Sequence, residues 1–532
     1  MSDNIRYVFI QSRSGESVPA IITRSGETLN LHSTVDPKHE ARRLISSIAD
    51  DTGFLIFLGL GGGFAPDAAL EMTNAGILVI DYEKDSIAKL LAAKDYAKLL
   101  SNERFCLLID PSNDEIRNNI TSNYKPALNG GIKTIPLRAR TEQSRAVFET
   151  AASAIHEAVE IVSGDYSVQS QFGIRWFSNI IRNLKNIENN NIRFFNEKKQ
   201  INNTAIAAAG PSLDSQLPSL ARAKEKGDFV ICCDTALPPL LQNGIIPDAV
   251  VTIDCQHISY HHFIGRDISN IPLILDIAGP PSLFRLSQSP AFFISGHPLA
   301  GYINSFLGGF VQLDTSGGNV AYTCLSLAQA LEARKITFYG ADFSYIKSRT
   351  YAKGAYIYPY FEKSQNRFSP IEARASALLY RSPFLPPEDA EKYSREGCRY
   401  HETSALRFYR KKLEEKITRI SADITFAQGQ GCPVNIRAGE LSFQDQKITG
   451  SEKKNHLSGI NFLEQYRNDI IALPETDIMK DTNINNRKIF TTLLPLAAAV
   501  KKRNPALKQK DLIREVKIQS ANRIEKVLNN NR

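Results

Sequence analysis

Strand-type apolar runs recur at 204–209, 229–233, 249–253, 272–277, 291–294 and 335–339, with helical patterns between them. Strands separated by helices cannot pair as hairpins, so this alternation predicts a mostly parallel sheet in an α/β domain. Ligands of such sheets bind beyond the carboxyl ends of the strands. Three of those ends carry an acid: Asp234, Asp254 and Asp342.

The first run breaks in the turn TAIAAAGPSLD, residues 204–214, and a helical pattern opens at Ser212. Gly210 lets a backbone or ligand approach closely, Pro211 suits an early helical position, and Ser212 can cap free N–H groups. The stretch Gly210, Pro211, Ser212 and Leu213 therefore reads either as a seat for a phosphate or ribose or as a structural turn. A second glycine-bearing turn, Asp314, Thr315, Ser316, Gly317, Gly318 and Asn319, opens a helix at 321–331. If the two turns lie side by side, their helix N-termini make one anion pocket suited to a nucleotide phosphate. His257 and His261 follow Asp254 and would share a face of an α-helix as i and i+4 neighbours, which allows either a metal site or ordinary surface histidines.

The first 165 residues repeat the strand-and-helix grammar. A small β-ribbon at 7–10 and 18–22 and a helix at 40–48 precede a strand at 54–58, the glycines of Gly59-Leu60-Gly61-Gly62-Gly63, a helix to Met72 and a strand at 77–80 ending at Asp81. This is a Rossmann-like unit in which Asp81 or Glu83 could bond a ribose hydroxyl. The same unit serves equally as a scaffold without ligand. Strands at 105–109 and 131–137 and helices at 140–161 and 172–191 complete the N-terminal region.

A chain of 532 residues exceeds one core, and 42% hydrophobic with 23% charged residues is ordinary globular composition. No signal-peptide pattern or membrane-spanning run is present in the sequence, so a cytoplasmic protein with reduced cysteines is expected. From Arg487 to Arg532 twelve Lys or Arg face three Asp or Glu, an excess that accounts for the net charge of +8. Such a basic helical end can dock an acidic partner, nucleic acid or a membrane surface, or simply present a solvated face.

Taken together, the G-P-S-L-D turn, the T-S-G-G-x-V helix start and the G-x-D-[LF]-x-Y strand end resemble the motility accessory factor family of flagellin glycosyltransferases, over about residues 203–441. The central domain of that family is similar to bacterial sialyltransferases that use CMP-sialic acid. In DFSYIKSRTY, Tyr345 and Tyr351 keep the interval of the two sialyltransferase tyrosines that hold the phosphate of departing CMP, so the resemblance gives them that role. It likewise makes His401, which precedes Ala405-Leu406-Arg407-Phe408, the base that deprotonates the acceptor. The sequence departs from the sialyltransferase pattern at Ala209 and Asp234, where asparagines are expected, and His401 lies closer to its helix. Nucleotide binding is assigned to Gly210, Pro211, Ser212, Leu213, Asp234, Asp254, Thr315, Ser316, Gly317 and Asp342.

The resemblance implies a CMP-activated nonulosonic acid as donor and flagellin as acceptor, with no nucleic acid and no membrane span. G-P-S-L-D also resembles an archaeal family of 6-hydroxymethylpterin diphosphokinases, which would place Mg²⁺ or Mn²⁺ between Asp234, Asp254 and Asp342. A third alternative is a non-enzymatic flagellar assembly adaptor built on the helices after Leu457. The expected organisation is a Rossmann-like N-terminal domain at 1–165, a central α/β glycosyltransferase-like domain at 166–450 and a helical basic region at 451–532.

Overall fold

The computed structural model describes residues 6–23, 26–189, 195, 201–363, 365–386, 400–436, 458–475 and 483–529. Most of the polar interval expected near 188–203, the expected boundary at 450 and the stretch 387–399 before His401 lie outside them. The chain forms two compact units. One comprises Met1–Ile174, Leu473–Phe490 and Leu494–Gln519, the other Arg175–Ala472, Thr491–Leu493 and Ser520–Arg532.

In the first unit, β1 (Arg6–Gln11), β2 (Ser17–Ile22) and β3 (Thr28–Asn30) form an antiparallel sheet. Next come β4 (Thr52–Leu58), β5 (Gly76–Asp81), β6 (Phe105–Ile109) and β7 (Gly131–Pro136), all parallel, in the order β6-β5-β4-β7. Each face of this sheet has its own core: Leu55, Phe57, Ile77 and Val79 on one side, Ile56, Leu58, Leu78 and Ile80 on the other. Burial on both faces explains why these strands read as continuous apolar runs rather than alternating ones.

Two helices expected at 140–161 and 172–191 are one helix, Arg145–Asn183, and residue 165 falls inside it. The intervening residues contain no proline, and their one glycine, Gly164, has open space around it, so nothing interrupts the backbone ladder.

The second unit holds an eight-stranded parallel sheet: β8 (Asn203–Ala207), β9 (Phe229–Cys233), β10 (Ala249–Thr252), β11 (Leu273–Asp276), β12 (Pro290–Ile294), β13 (Val311–Gln312), β14 (Lys335–Tyr339) and β18 (Asp423–Phe426). Its order is β13-β12-β11-β10-β9-β8-β14-β18. The chain thus builds outward from β8 in one direction, then returns at β14 to the other side of β8. Such a reversal marks the place, beyond the carboxyl ends of β8 and β14, where α/β folds have their ligand crevice. The short strands β15 (Tyr345–Ile346), β16 (Phe384–Leu385) and β17 (Tyr400–Thr403) form a separate antiparallel sheet in the order β15-β17-β16.

The basic C-terminal helices Ile484–Arg503 and Gln509–Asn529 are not a solvated tail. Phe490, Leu493, Leu512, Ile513 and Ile524 are fully buried, so one face of each helix is core. No helix among the described residues is long and apolar enough to cross a membrane.

Candidate functional site

The β8 and β14 ends meet through their backbones: Ala208 N donates to the Tyr339 carbonyl and Gly210 N to the Gly340 carbonyl, both at 2.8 Å. A Cβ at Gly210 would run into the Asp342 carboxylate and the Gly340 carbonyl, so only glycine permits this approach. Asp342 Oδ2 accepts from Ser212 N at 2.7 Å, and Ser212 Oγ accepts from Gln430 N at 3.0 Å. Leu213 is fully buried, so its side chain belongs to the core.

Of the two readings of the first turn, these bonds match the structural one. The Ser212 N–H holds a carboxylate, the anion that a helix N-terminus favours. The second turn also holds some of its own N–H groups. Asn319 Oδ1 caps Tyr322 N at 3.0 Å, Asp314 Oδ1 accepts from Ser316 N at 2.9 Å, and Gly318 N donates to the Thr315 carbonyl at 3.0 Å. Asp314 is further bound by the Tyr322 hydroxyl at 2.6 Å and Lys416 Nζ at 3.0 Å. Strand β13, which leads into this turn, lies five places from β8, so the two turns are not neighbours in the sheet; instead the helix Val320–Ala330 crosses back to pack on β8, β9 and β10. The two turns therefore do not sit side by side at neighbouring strand ends, as the anion pocket would require.

What the first turn does position is a loop. Asp214 Oδ2 pairs with Arg349 Nη1 at 2.5 Å and Oδ1 accepts from Lys353 N at 2.8 Å, while Ala352 N donates to the Ala209 carbonyl at 2.9 Å. Lys347 and Ser348, both in the left-handed region at φ 50° and 59°, turn the chain back from β15 toward these anchors. Tyr351 is thereby fixed between residues tied to the G-P-S-L-D turn.

Strand β17 brings His401 directly opposite Tyr345 in an antiparallel pair. Such partners have Cβ atoms roughly 4.5–5.5 Å apart and lie on one face. The His401 ring stacks on Phe384 at 4.4 Å and 13°. Next to His401, Glu402 is buried and accepts from Arg407 Nε at 2.6 Å and Arg410 Nε at 3.1 Å, which fixes the strand to the helix Ser404–Ile417.

A tyrosine cluster extends from this pair. Burial, then Tyr356, Tyr345, Asp234 and Tyr409 in turn, raise the Tyr351 pKa far above the usual phenol range. Tyr345 is raised by burial and by Tyr409, and Tyr356 by burial, Asp234 and Asp254. Each phenol thus stays protonated near neutral pH and remains a donor. Tyr409 also flanks the second turn, since a Cβ at Gly318 would touch its ring.

Asp234 is buried and its oxygens are engaged by Thr235 N at 2.7 Å and the Thr252 hydroxyl at 2.7 Å. His262 is buried with Nε2 4.0 Å from Asp234 Oδ2, and its ring meets Tyr356 edge-on at 4.3 Å. Burial and the nearby Asp234 raise Asp254, whose Oδ1 accepts from Gln256 N at 2.8 Å. Among the described residues no three His, Cys, Asp or Glu side chains converge as a group that could hold a metal ion. His257 and His261 lie in a 3₁₀ turn, His257–His262, where i and i+3 rather than i and i+4 share a face.

In the first unit the ribose seat is also filled. Asp81 and Arg140 are wholly buried and pair at 2.9 Å, with Leu60 N and Tyr82 N donating to the same carboxylate at 2.8 Å. Gly62 N donates to His32 Nε2 at 2.7 Å, and Tyr96 and Lys94 take the Gly61 and Gly62 carbonyls. Glu83 meets Ser144 and lies 3.9 Å from Arg140. Of the two alternatives left open by the glycine motif, this geometry matches the scaffold.

Sequence reasoning missed Tyr356, Tyr409 and the structural use of Asp214. The first belongs to a visible tyrosine-rich stretch at 351–360, and Tyr409 lies on the helix that begins beside His401.

Residues 178–348, which span β8 to β15, match the family model of the 6-hydroxymethylpterin diphosphokinase MptE-like proteins. Among curated proteins, two from Treponema pallidum (strain Nichols), both described as uncharacterized, are 35% identical over 119 residues and 29% identical over 174 residues. These alignments take in 22% and 31% of this chain and 42% and 78% of the relatives, so the chain spans under half the length of the first. A solved structure titled as the MAf glycosyltransferase from Magnetospirillum magneticum AMB-1 superposes with a TM-score of 0.55 at 13% identity, covering 99% of this chain and 87% of that one. The resemblance seen in the motifs is met by both comparisons: the chain has the α/β fold of a Maf glycosyltransferase and carries an MptE-like segment at its centre.

Proposed function

We propose that this protein is a glycosyltransferase that moves a nonulosonic acid, of the sialic or pseudaminic class, from its CMP-activated donor to a Ser or Thr hydroxyl of flagellin in the cytoplasm. The observation that carries this reading is the pairing of His401 with Tyr345 beside Tyr351, next to the β8/β14 crevice of a Maf-like fold. In the reaction the acceptor oxygen attacks the anomeric carbon while its proton passes to His401. The bond from that carbon to the phosphate oxygen breaks, and CMP leaves with the electron pair. Tyr345 and Tyr351, kept neutral by burial, donate to the departing phosphate where its charge grows.

The MptE-like match favours a second reading, pyrophosphoryl transfer from ATP with Mg²⁺. Calorimetry separates them: binding of CMP without metal supports the glycosyltransferase, whereas ATP binding that requires Mg²⁺, with none for CMP, supports the diphosphokinase. Flagellin docking through the C-terminal helices would use their exposed charged faces, because their apolar faces are committed to the core.

A further inference from the structure

Away from the crevice, the second unit contains a cavity of about 300 Å³ lined by Arg182, Lys185, Asn186, Ser282, Arg285 and Val527, with Pro281 at its wall. Arg182 closes the helix Arg145–Asn183, Lys185 opens the 3₁₀ turn after it, and Arg285 lies in the short turn following β11. Three cations therefore line one cavity, and no acidic side chain lines it with them. Among the described residues none of the three has a carboxylate partner, although acids elsewhere on the surface are widely paired, as in Lys224–Asp248 and Arg514–Glu475. Like charges in one cavity repel, and an anion between them relieves that repulsion.

A second observation points the same way. The Ser282 hydroxyl is buried in this wall yet has no hydrogen-bond partner among the described residues. Its surroundings echo the first turn: Ala278-Gly279-Pro280-Pro281-Ser282-Leu283 repeats Ala209-Gly210-Pro211-Ser212-Leu213 with one added proline. At Ser212 the anion is internal, the carboxylate of Asp342, and the hydroxyl accepts from Gln430 N. At Ser282 the hydroxyl has no such partner, and cations take the place of the acid.

We propose that this cavity binds a soluble phosphate ester or diphosphate, with Arg182, Lys185 and Arg285 meeting its phosphate oxygens and the Ser282 hydroxyl donating to one of them. Planar guanidinium groups suit phosphate, and the volume is at the lower end of the small-molecule range. The site lies at the β11 side of the sheet, three places from β8, so it is distinct from the β8/β14 crevice and independent of the glycosyltransferase reading.

The test uses the full chain and inorganic pyrophosphate as probe, followed by calorimetry and thermal shift. Saturable binding is expected, falling at least tenfold in a variant with Arg182→Gln, Lys185→Gln and Arg285→Gln. All three side chains are exposed, so the melting temperature without probe should hold. Ser282→Ala should weaken binding several-fold. Equal pyrophosphate affinity in the triple variant and the parent would overturn the assignment, as would the absence of saturable binding to the parent. So would sulfate binding as tightly as pyrophosphate, since bare surface charge would then suffice. A pyrophosphate signal abolished by CMP in direct competition would place the probe in the crevice and equally sink the proposal.

Discussion

Replacing Arg140 by methionine keeps the side chain's apolar bulk and removes its charge from a site where both it and Asp81 are wholly buried. The guanidinium meets Asp81 at 2.9 Å, the Tyr82 carbonyl at 3.0 Å and the Ser144 hydroxyl at 3.0 Å. In Arg140→Met the carboxylate keeps its two backbone N–H partners but loses its counter-charge, and breaking a buried pair in this way costs about 3–5 kcal/mol. For a unit of about two hundred residues each kcal/mol lowers the melting temperature by roughly 2–4 °C, so a fall of roughly 6–20 °C is expected. Far-UV circular dichroism follows both units, whereas Trp176, the only tryptophan, belongs to the second. The circular dichroism transition should therefore split, with an early phase that tryptophan emission does not follow. Adding Asp81→Asn removes the stranded charge while leaving an amide oxygen for Leu60 N or Tyr82 N, and should recover more than half of the loss. A shift below about 2 °C in Arg140→Met, or a double variant no more stable than the single one, would refute the view that this buried pair holds the glycine turn shut.

His401→Ala should lower turnover by roughly 10²- to 10⁴-fold with CMP affinity nearly unchanged, and Tyr351→Phe should cost about 1–2 kcal/mol in transition-state stabilisation; steady-state kinetics with a CMP-sugar donor checks both. Burial, with Lys94 nearby, lowers His32 to about 4, so it is neutral in the folded state and accepts from Gly62 N. The unfolded chain takes up that proton near pH 6.5, so the stability gained, about 3 kcal/mol at most, is full above that pH and lost as pH falls through 4. His32→Gln should flatten this limb of a stability-versus-pH curve measured by urea unfolding. Truncation before Arg487 should abolish cooperative melting, because it removes Phe490, Leu493, Leu512, Ile513 and Ile524 from the interior.

The parallel sheets were legible because strands buried on both faces must be apolar throughout, and β9 and β14 fall on the expected residues. Strands at the sheet edges were not. Val311–Gln312 and Asp423–Phe426 are short and half exposed, and their alternation is too brief to stand out from a loop. The two helical patterns expected at 140–161 and 172–191 are joined in the helix Arg145–Asn183, because the residues between them contain no proline to interrupt it. His401 was reached through resemblance. Its strand, Tyr400–Thr403, has four residues and among the described residues pairs with β15 and β16, which are not adjacent to it in sequence. The acids at the strand ends were visible, but their direction was not. Whether a carboxylate faces a ligand or a neighbouring N–H is decided by the approach of two strand ends, as at Ser212 and Asp342.

That inward use of acids alters how the central motif should be understood. A crevice holding Asp234, Asp254 and Asp342 as free anions would repel a CMP phosphate, yet none stands open. Asp342 is held by Ser212 N at a helix start, Asp234 by Thr235 and Thr252, and Asp254 is pushed toward its neutral form by burial and Asp234. The residues of G-P-S-L-D then act mechanically. Gly210 admits the β14 end, Ser212 binds Asp342 and the 427–432 segment, Leu213 enters the core and Asp214 anchors the Arg349–Lys353 loop. Under the proposed function, the donors that would meet a leaving phosphate are phenols on an anchored loop rather than amides of the turn. Their protonation is secured by burial, and the motif determines where they stand.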